Sequence, residues 1–302
     1  MISIVVHGGA WDITPNLVAA HKTGVQHALK AGWSVLSSGG RAVEAVEAAV
    51  KIMEDDITFD AGRGSFLNLA GHVELDASMM DGKTMKAGAV ASVQNIKNPI
   101  VAARKIMEDS EHVLLVGMGA TRFAREHKVQ TCDQDDLVIA RELERWRENH
   151  GKKVSVHHTF AGRKARHMGT VGAVALDKYG NLVAGTSTGG TPNKYPGRVG
   201  DTPLIGCGTY ADNSVGAVSC SGWGESLIKM VMAKTVVNLM EQFDCDAEKA
   251  AREAIKLLEK KVKGYGGVIA LNKHGAVGIA YNTSKMARAW MNSHMKSPSV
   301  AV

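Results

Sequence analysis

Thr170 opens the apolar run "TVGAVALD" directly behind a glycine, and "TSTGG" returns one turn later with Thr186, Ser187 and Thr188. A threonine at the head of a buried strand is first of all a good β-former. The same residue becomes a nucleophile once the chain is cut in front of it. A freed α-amine has a pKa of about 8 and sits on the residue that carries the hydroxyl, so it can act as that hydroxyl's own base. Gly169 supplies a backbone free to take the strained geometry in which a hydroxyl attacks the preceding carbonyl. The three hydroxyls of "TSTGG" are small enough to orient such a nucleophile. This chemistry needs no Ser/His/Asp arrangement, and none is recognisable here.

"NKYPGRVGDTP" adds complementary charges. Arg198 can grip a carboxylate through two parallel hydrogen bonds, and Asp201 can take an ammonium, so together they would read the zwitterionic head of an amino acid. The plain alternative is a salt bridge within one loop. In "SCSGWGE", Ser221 and the Gly222 N–H could line an oxyanion site at a strand end, or simply form a glycine turn into a helix. His7 of "HGG" reads as a structural residue ending the first strand. His157 and His158 read as solvated, since no further ligand follows at a useful spacing.

The elements that must hold these residues alternate between strands and helices. "ISIVVHGG" is a buried strand, and helices are expected over Leu17–Leu36 and in "GGRAVEAVEAAVKIMEDD". "HVELDASMMDG" and "MKAGAVASV" read as paired strands turning at Asp81-Gly82. Helices follow from Pro99, after the short strand of "HVLLVGMGATRFAREH", and in "DQDDLVIARELERWRENH". From Gly151 to Gly169 the chain is polar and basic, as expected of a flexible exposed linker in which a cut costs no folded structure. Beyond it come the strands "TVGAVALD", "NLVAGTST", "LIGCGTYA" and "GAVSCSG". Helices in "ESLIKMVMAKTVVNLMEQ" and "DAEKAAREAIKLLEKKVK" follow, then the strands "GGVIALN", "AVGIAYN" and "ARAWM". Tight turns between strands favour antiparallel sheets covered by helices, an α+β fold.

The 302 residues suffice for one large domain, and 45% hydrophobic with 22% charged residues is ordinary for a globular protein. The net charge of +6 permits an anionic partner without requiring one. The basic runs "GKK" and "GRKARH" fall in the linker, and no nucleic-acid-binding signature accompanies them. Four cysteines without a CxxC pair fit a reducing compartment. With no signal-peptide pattern and no membrane-length apolar stretch, a cytoplasmic protein is expected, with neither nucleic-acid nor membrane partners. "VLLVGMGATRFA" carries Gly117 and Gly119 between strand and helix. Arg122 stands where a dinucleotide-binding turn needs its third glycine, and no βαβ pattern precedes it, so that reading is weak.

"HGGAW", "FDAGRGSFLNLAGHVELDASMMDG", "KAGAVASVQNIKNPIVAAR", "GTVGAVALD", "TSTGG", "GRVGDTP" and "SGWGES" occur in the order of the plant-type asparaginase/isoaspartyl peptidase family, which the chain resembles over nearly its whole length. The resemblance implies an N-terminal-nucleophile hydrolase: a single four-layer αββα sandwich made as an inactive precursor. It would cut itself between Gly169 and Thr170 into an α chain (1–169) and a β chain (170–302) that stay together. It implies Thr170 as nucleophile with Thr188 in support, Arg198 on the substrate α-carboxylate and Asp201 on the α-amino group. Ser221 and Gly222 fall on the oxyanion position, and Asp60, His7, Gly8 and Gly9 on supporting positions. The implied reactions are hydrolysis of L-asparagine and of β-aspartyl dipeptides through a β-aspartyl ester on Thr170. No cofactor is needed, a structural sodium is held by backbone carbonyls of the loop Met53–Arg63, and the cleaved αβ unit forms a homodimer.

Three positions depart from the family pattern. Ser221 replaces a threonine and loses the methyl that stiffens χ1. Asp60 replaces the asparagine of "FNAG" and lacks its amide donor, which bears on the speed of self-cleavage. Trp223 brings an indole beside the site, either as core or as a wall on the leaving-group side. The resemblance to glycosylasparaginases and threonine aspartases is weaker, because both carry Asp before the nucleophile where this chain has Gly169. A relative that never cuts itself would be left as a binding protein.

Overall fold

The computed structural model describes residues 1–149, 169–244 and 246–302. The linker expected over 151–169, with its basic runs and His157 and His158, lies outside the described residues apart from Gly169. The first sheet contains β1 (Ser3–Trp11), β2 (Leu75–Asp81), β3 (Ala87–Val93), β4 (Leu114–Val116), β5 (Thr170–Leu176), β6 (Leu182–Thr188), β11 (Lys285–Asn292) and β12 (Ser299–Ala301), in the order β12-β11-β1-β5-β6-β2-β3-β4. The second contains β7 (Thr209–Asp212), β8 (Gly216–Gly222), β9 (Gly266–Asn272) and β10 (Val277–Tyr281), ordered β10-β9-β8-β7.

Side-chain alternation along the central strands generates the layers. Ile4, Val6, Val171, Ala173 and Ala175 face α1 (Val18–Ser37) and α2 (Ala42–Asp55). Val5, Val174 and Leu176 face Ala217, Ile269 and Leu271 of the second sheet. That sheet's other face, including Val218, Val268 and Ala270, is covered by α7 (Gly224–Met230), α8 (Met232–Gln242) and α9 (Ala247–Val262). The first sheet also carries α3 (Pro99–Asp109) and α4 (Gly117–Glu126) over β2 and β3. The result is helix, sheet, sheet, helix. Strands buried on both faces read as continuous apolar runs for this reason. Thr170 has the parity of Val174 and Leu176, so its side chain starts on the inter-sheet side.

Tertiary contacts override local pattern in four places. The helix expected over "DQDDLVIARELERWRENH" divides into α5 (Gln134–Leu137) and α6 (Ala140–Asn149). Leu137 is buried, its carbonyl accepts from Gly64 N at 3.0 Å, and Val138 is extended. "ESLIKMVMAKTVVNLMEQ" breaks at Val231, which is left-handed at φ 45°. There Ala233 and Lys234 donate their N–H groups to Cys207 O and Gly206 O of a facing loop. In "LIGCGTYA" the residues before Thr209 make turns, Cys207 N donating to Leu204 O at 2.8 Å. Finally, β4 pairs with β3 in parallel, and β12 adds an edge strand that had no recognisable signal.

Candidate active site

Thr170 and Thr188 face each other as register partners of β5 and β6. Thr170 Oγ1 donates to Thr188 Oγ1 at 3.3 Å, and Gly190 N donates to the same oxygen at 3.0 Å. Thr188 Oγ1 in turn lies 3.5 Å from the carbonyl oxygen of Gly169, the outer limit of a hydrogen bond. The glycines of "HGG" have steric reasons to be glycines. A Cβ on Gly9, at φ +97°, would stand 2.9 Å from Gly169 Cα, and one on Gly8 would meet Phe59 at 2.3 Å. Bare backbone therefore lets the Gly169–Thr170 junction lie directly on β1.

Ser221 Oγ accepts from Ala10 N at 2.9 Å. The backbone amide of Ala10 thus ties the Ser221 hydroxyl to β1. Gly222 sits at φ +151° and its Cβ position would be 2.4 Å from Tyr265 O, so a side chain is excluded. Trp223, half-buried, precedes the first residue of α7 and donates its N–H to Tyr265 O.

Arg198 and Asp201 converge on Gly224, where a Cβ would lie 2.9 Å from Arg198 Nη2 and 3.1 Å from Asp201 Oδ1. Arg198 already meets a carboxylate of its own chain. Its Nε and Nη2 each donate at 2.9 Å to the two carboxylate oxygens of Glu225, a bidentate pair that sequence reasoning did not anticipate. Burial would raise the Glu225 carboxyl, but Arg198 brings it below its ordinary value. Asp201 is buried, its Oδ2 has no hydrogen-bond partner, and burial lifts its pKa to about 7 against the opposing pull of Arg198. Lys194 is also buried and lowered by desolvation, opposed by Asp76 and Glu74. Its Nζ donates to Glu74 O at 2.8 Å.

Asp60 is buried beside the junction. Its Oδ1 accepts from Phe66 N at 3.0 Å, its Oδ2 has no partner meeting hydrogen-bond geometry, and its Cβ lies 3.7 Å from where a Cβ on Gly169 would stand. Burial raises its carboxyl well above the usual range; nearby Glu142 reinforces this, while the Phe66 amide and Lys194 oppose it. In its protonated form such a carboxyl carries an O–H donor. His7 is fully buried and pushed down to about 3 by desolvation. It is neutral, as a structural residue should be. Gly117 opens α4 behind β4, and β3–α3–β4 forms a parallel βαβ unit that the sequence pattern did not announce; β4 is nevertheless a three-residue edge strand, and Arg122 still stands where the third glycine is needed.

Two face-to-face sheets between helical layers, with a threonine heading a central strand behind a glycine, have the architecture of an N-terminal-nucleophile hydrolase. The chain belongs to the asparaginase family, whose sequence pattern matches residues 1–300. It is 44% identical over 286 residues to an isoaspartyl peptidase/L-asparaginase of Xenopus laevis, covering 95% of this chain and 91% of that protein. It is 42% identical to a plant-type L-asparaginase of Pyrococcus abyssi, aligned over 100% of both chains. A Bos taurus isoaspartyl peptidase/L-asparaginase is 43% identical over 94% of this chain and 91% of its own.

Proposed function

We propose that the chain cuts itself between Gly169 and Thr170, and that the freed Thr170 hydrolyses L-asparagine and β-aspartyl dipeptides. The contact between Thr170 and Thr188 at 3.3 Å, against Gly169, carries this reading. The new α-amine takes the proton of Thr170 Oγ1 as that oxygen attacks the side-chain amide carbon. Ser221, already fixed by Ala10 N–H, has its own O–H proton for the developing oxyanion, beside Gly222 N–H. Ammonia, or the amine of the next residue, leaves with a proton, and water then hydrolyses the β-aspartyl ester to free Thr170 and aspartate. Asp201 in its ionised form takes the substrate ammonium, and Arg198 takes the α-carboxylate by sharing or releasing Glu225.

Three further readings belong to the proposal. A structural sodium fits the loop Met53–Arg63 and its immediate continuation: a Cβ on Gly64 would stand 3.1 Å from both Ile57 O and Phe59 O, so the glycine leaves a carbonyl-lined cradle. A homodimer is supported by the exposed apolar residues Leu114, Val116 and Met118 on β4 and α4. Residence in the cytoplasm rests on the sparse cysteines. Among the described residues no helix is long and apolar enough to cross a membrane.

Intact-mass measurement of purified protein over days at neutral pH, beside Thr170→Ala, tests the central claim. Two fragments meeting at Gly169/Thr170 are expected, with the variant uncut and inactive. A wild-type chain that stays whole, or a variant that is cut at the same bond, overturns it. The first of these outcomes would leave a protein without a free nucleophilic amine, acting at most by binding.

A further inference from the structure

Between the two sheets, otherwise filled by Val5, Val174, Ala217 and Ile269, runs a continuous string of polar side chains that the proposed chemistry does not use. It starts at His7 on β1, whose Nε2 lies 2.9 Å from Ser219 Oγ on β8. Ser219 Oγ lies 2.7 Å from Thr186 Oγ1 on β6. Thr209 Oγ1 on β7 donates to Thr186 Oγ1 at 2.6 Å, and Ser78 Oγ on β2 is 2.7 Å from Thr209 Oγ1. Ser78 Oγ also reaches the carbonyl oxygen of Thr202 at 2.5 Å. All six residues are fully buried. The string crosses from one sheet to the other at every step until it reaches Ser78 and the loop.

The donors can be ordered. Gly9 N donates to His7 Nδ1 at 3.3 Å, so His7 carries its proton on Nε2, facing Ser219 Oγ and the Thr170 backbone. Ser219 then donates to Thr186, and Thr186 to Gly208 O at 3.2 Å. Thr209 spends its proton on Thr186, and the single proton of Ser78 is shared between Thr209 Oγ1 and the Thr202 carbonyl, the two acceptors in its reach. Hydroxyls buried this deeply cost stability unless matched, so each link fixes its neighbours.

Both ends of the string bear on the reaction. At one end, His7 makes a backbone contact with Thr170, and a Cβ on Gly172 would stand 2.1 Å from Ser219 Oγ and 2.5 Å from His7 Nε2. The strand of the nucleophile is therefore seated directly on this pair. At the other end the string meets the Asp201 loop: Ser78 holds the Thr202 carbonyl, and the Asp201–Thr202 peptide packs on Gly208, where a Cβ would come within 2.6 Å of Asp201 O and 2.7 Å of Thr202 Cα.

We infer that this hydroxyl string is the ruler that sets the distance between Thr170 and the Asp201 loop, making Ser78, Thr186 and Thr209 positioning residues for binding the substrate's ammonium group. The inference rests on the assignment of Thr170 and Asp201 proposed above. Thr186→Val removes the central hydroxyl at nearly constant volume, Thr186→Ser restores it, and Ser78→Ala cuts the link to the loop. Each cleaved variant is assayed for kcat and KM with L-asparagine, for the melting-temperature rise given by L-aspartate, and for the rate of self-cleavage. Thr186→Val and Ser78→Ala should raise KM about tenfold, the effect of one lost buried hydrogen bond. The L-aspartate shift should shrink, while Ser78→Ala keeps kcat within about twofold and self-cleavage unchanged. Thr186→Ser should bring KM back to within about twofold of wild type. KM within twofold of wild type in both Thr186→Val and Ser78→Ala overturns the inference, even if both melt earlier, because the string would then only support the fold. Failure of Thr186→Ser to restore KM overturns it equally. Wild-type cleavage and turnover report on the underlying assignment separately: if they are absent both readings fall, and if they are present only the ruler is at stake.

Discussion

The two ends of the candidate site are built from opposite materials. At the nucleophile end Thr170, Thr188, Ser221 and the amides of Ala10 and Gly190 are neutral, and His7 beneath them is held uncharged at neutral pH. At the loop end Arg198, Glu225, Asp201, Lys194 and Asp76 crowd charges into a largely buried space. A buried hydroxyl lattice keeps its geometry without regard to pH, whereas buried charges hold theirs only while each keeps its protonation state. The contrast assigns geometry to one end and pH sensitivity to the other.

The strongest challenge to that contrast is Arg198→Lys, which keeps the charge and removes the planar fork. A drop in kcat/KM of about a hundredfold is expected, mostly in KM, because a point charge cannot satisfy a carboxylate bidentately. Near-normal KM would show that charge alone suffices. Next comes Asp201. Its raised pKa of about 7 means that the carboxylate which pairs with an ammonium is depleted as pH falls through 7. KM should therefore rise by up to about tenfold per pH unit below 7 and level off above it, with kcat less affected. Asp201→Asn should raise KM throughout and flatten the profile. A wild-type KM independent of pH between 5.5 and 8 would remove Asp201 from ammonium binding.

A smaller effect is expected of Glu225→Gln. Glu225 occupies the Nε/Nη2 edge of the Arg198 guanidinium, so it competes with a substrate carboxylate for that edge. Gln keeps the shape but weakens the competition. KM should fall by about threefold, a surface-to-half-buried ion pair being worth no more than about 1 kcal/mol. A rise in KM would mean that Glu225 orients Arg198 rather than occupying it.

The same contrast explains what could be read without coordinates. Thr170, Thr188 and Ser221 stand at strand ends announced by alternating apolar runs, and the glycines of "HGG" and "SGWG" mark close backbone approaches. Their places in the chain, and antiparallel sheets covered by helices, follow from local pattern; the four-layer sandwich and the roles of these residues rest on the family resemblance. Glu225 looked like an ordinary acidic residue at a helix start; only the loop's return places Arg198 on it. The hydroxyl string was equally hidden, because Ser78, Thr186, Thr209 and Ser219 are what any strand would use, and their meaning comes from facing each other across two sheets. The breaks at Val138 and Val231 arise from loop carbonyls and buried contacts that no helical period records.

Asp60 tests where the boundary between the two ends runs, since it is a charged residue type set among neutral partners beside Gly169. Burial and Glu142 raise its carboxyl well above the usual range, the Phe66 amide and Lys194 oppose them, and the net effect favours the protonated form. In that form it has the shape of an asparagine side chain and one donor. As pH rises through its elevated pKa it loses the donor and becomes a buried anion next to the junction that is to be cut. Self-cleavage by the wild type should therefore slow at alkaline pH, while Asp60→Asn, whose amide does not titrate, keeps its rate. The two should agree within about threefold at the acid end of the profile and diverge as pH rises, which mass spectrometry of freshly purified precursor across pH can follow. Parallel profiles would place Asp60 with the structural residues. Divergence at alkaline pH would make it the one charged group to which the nucleophile end is sensitive.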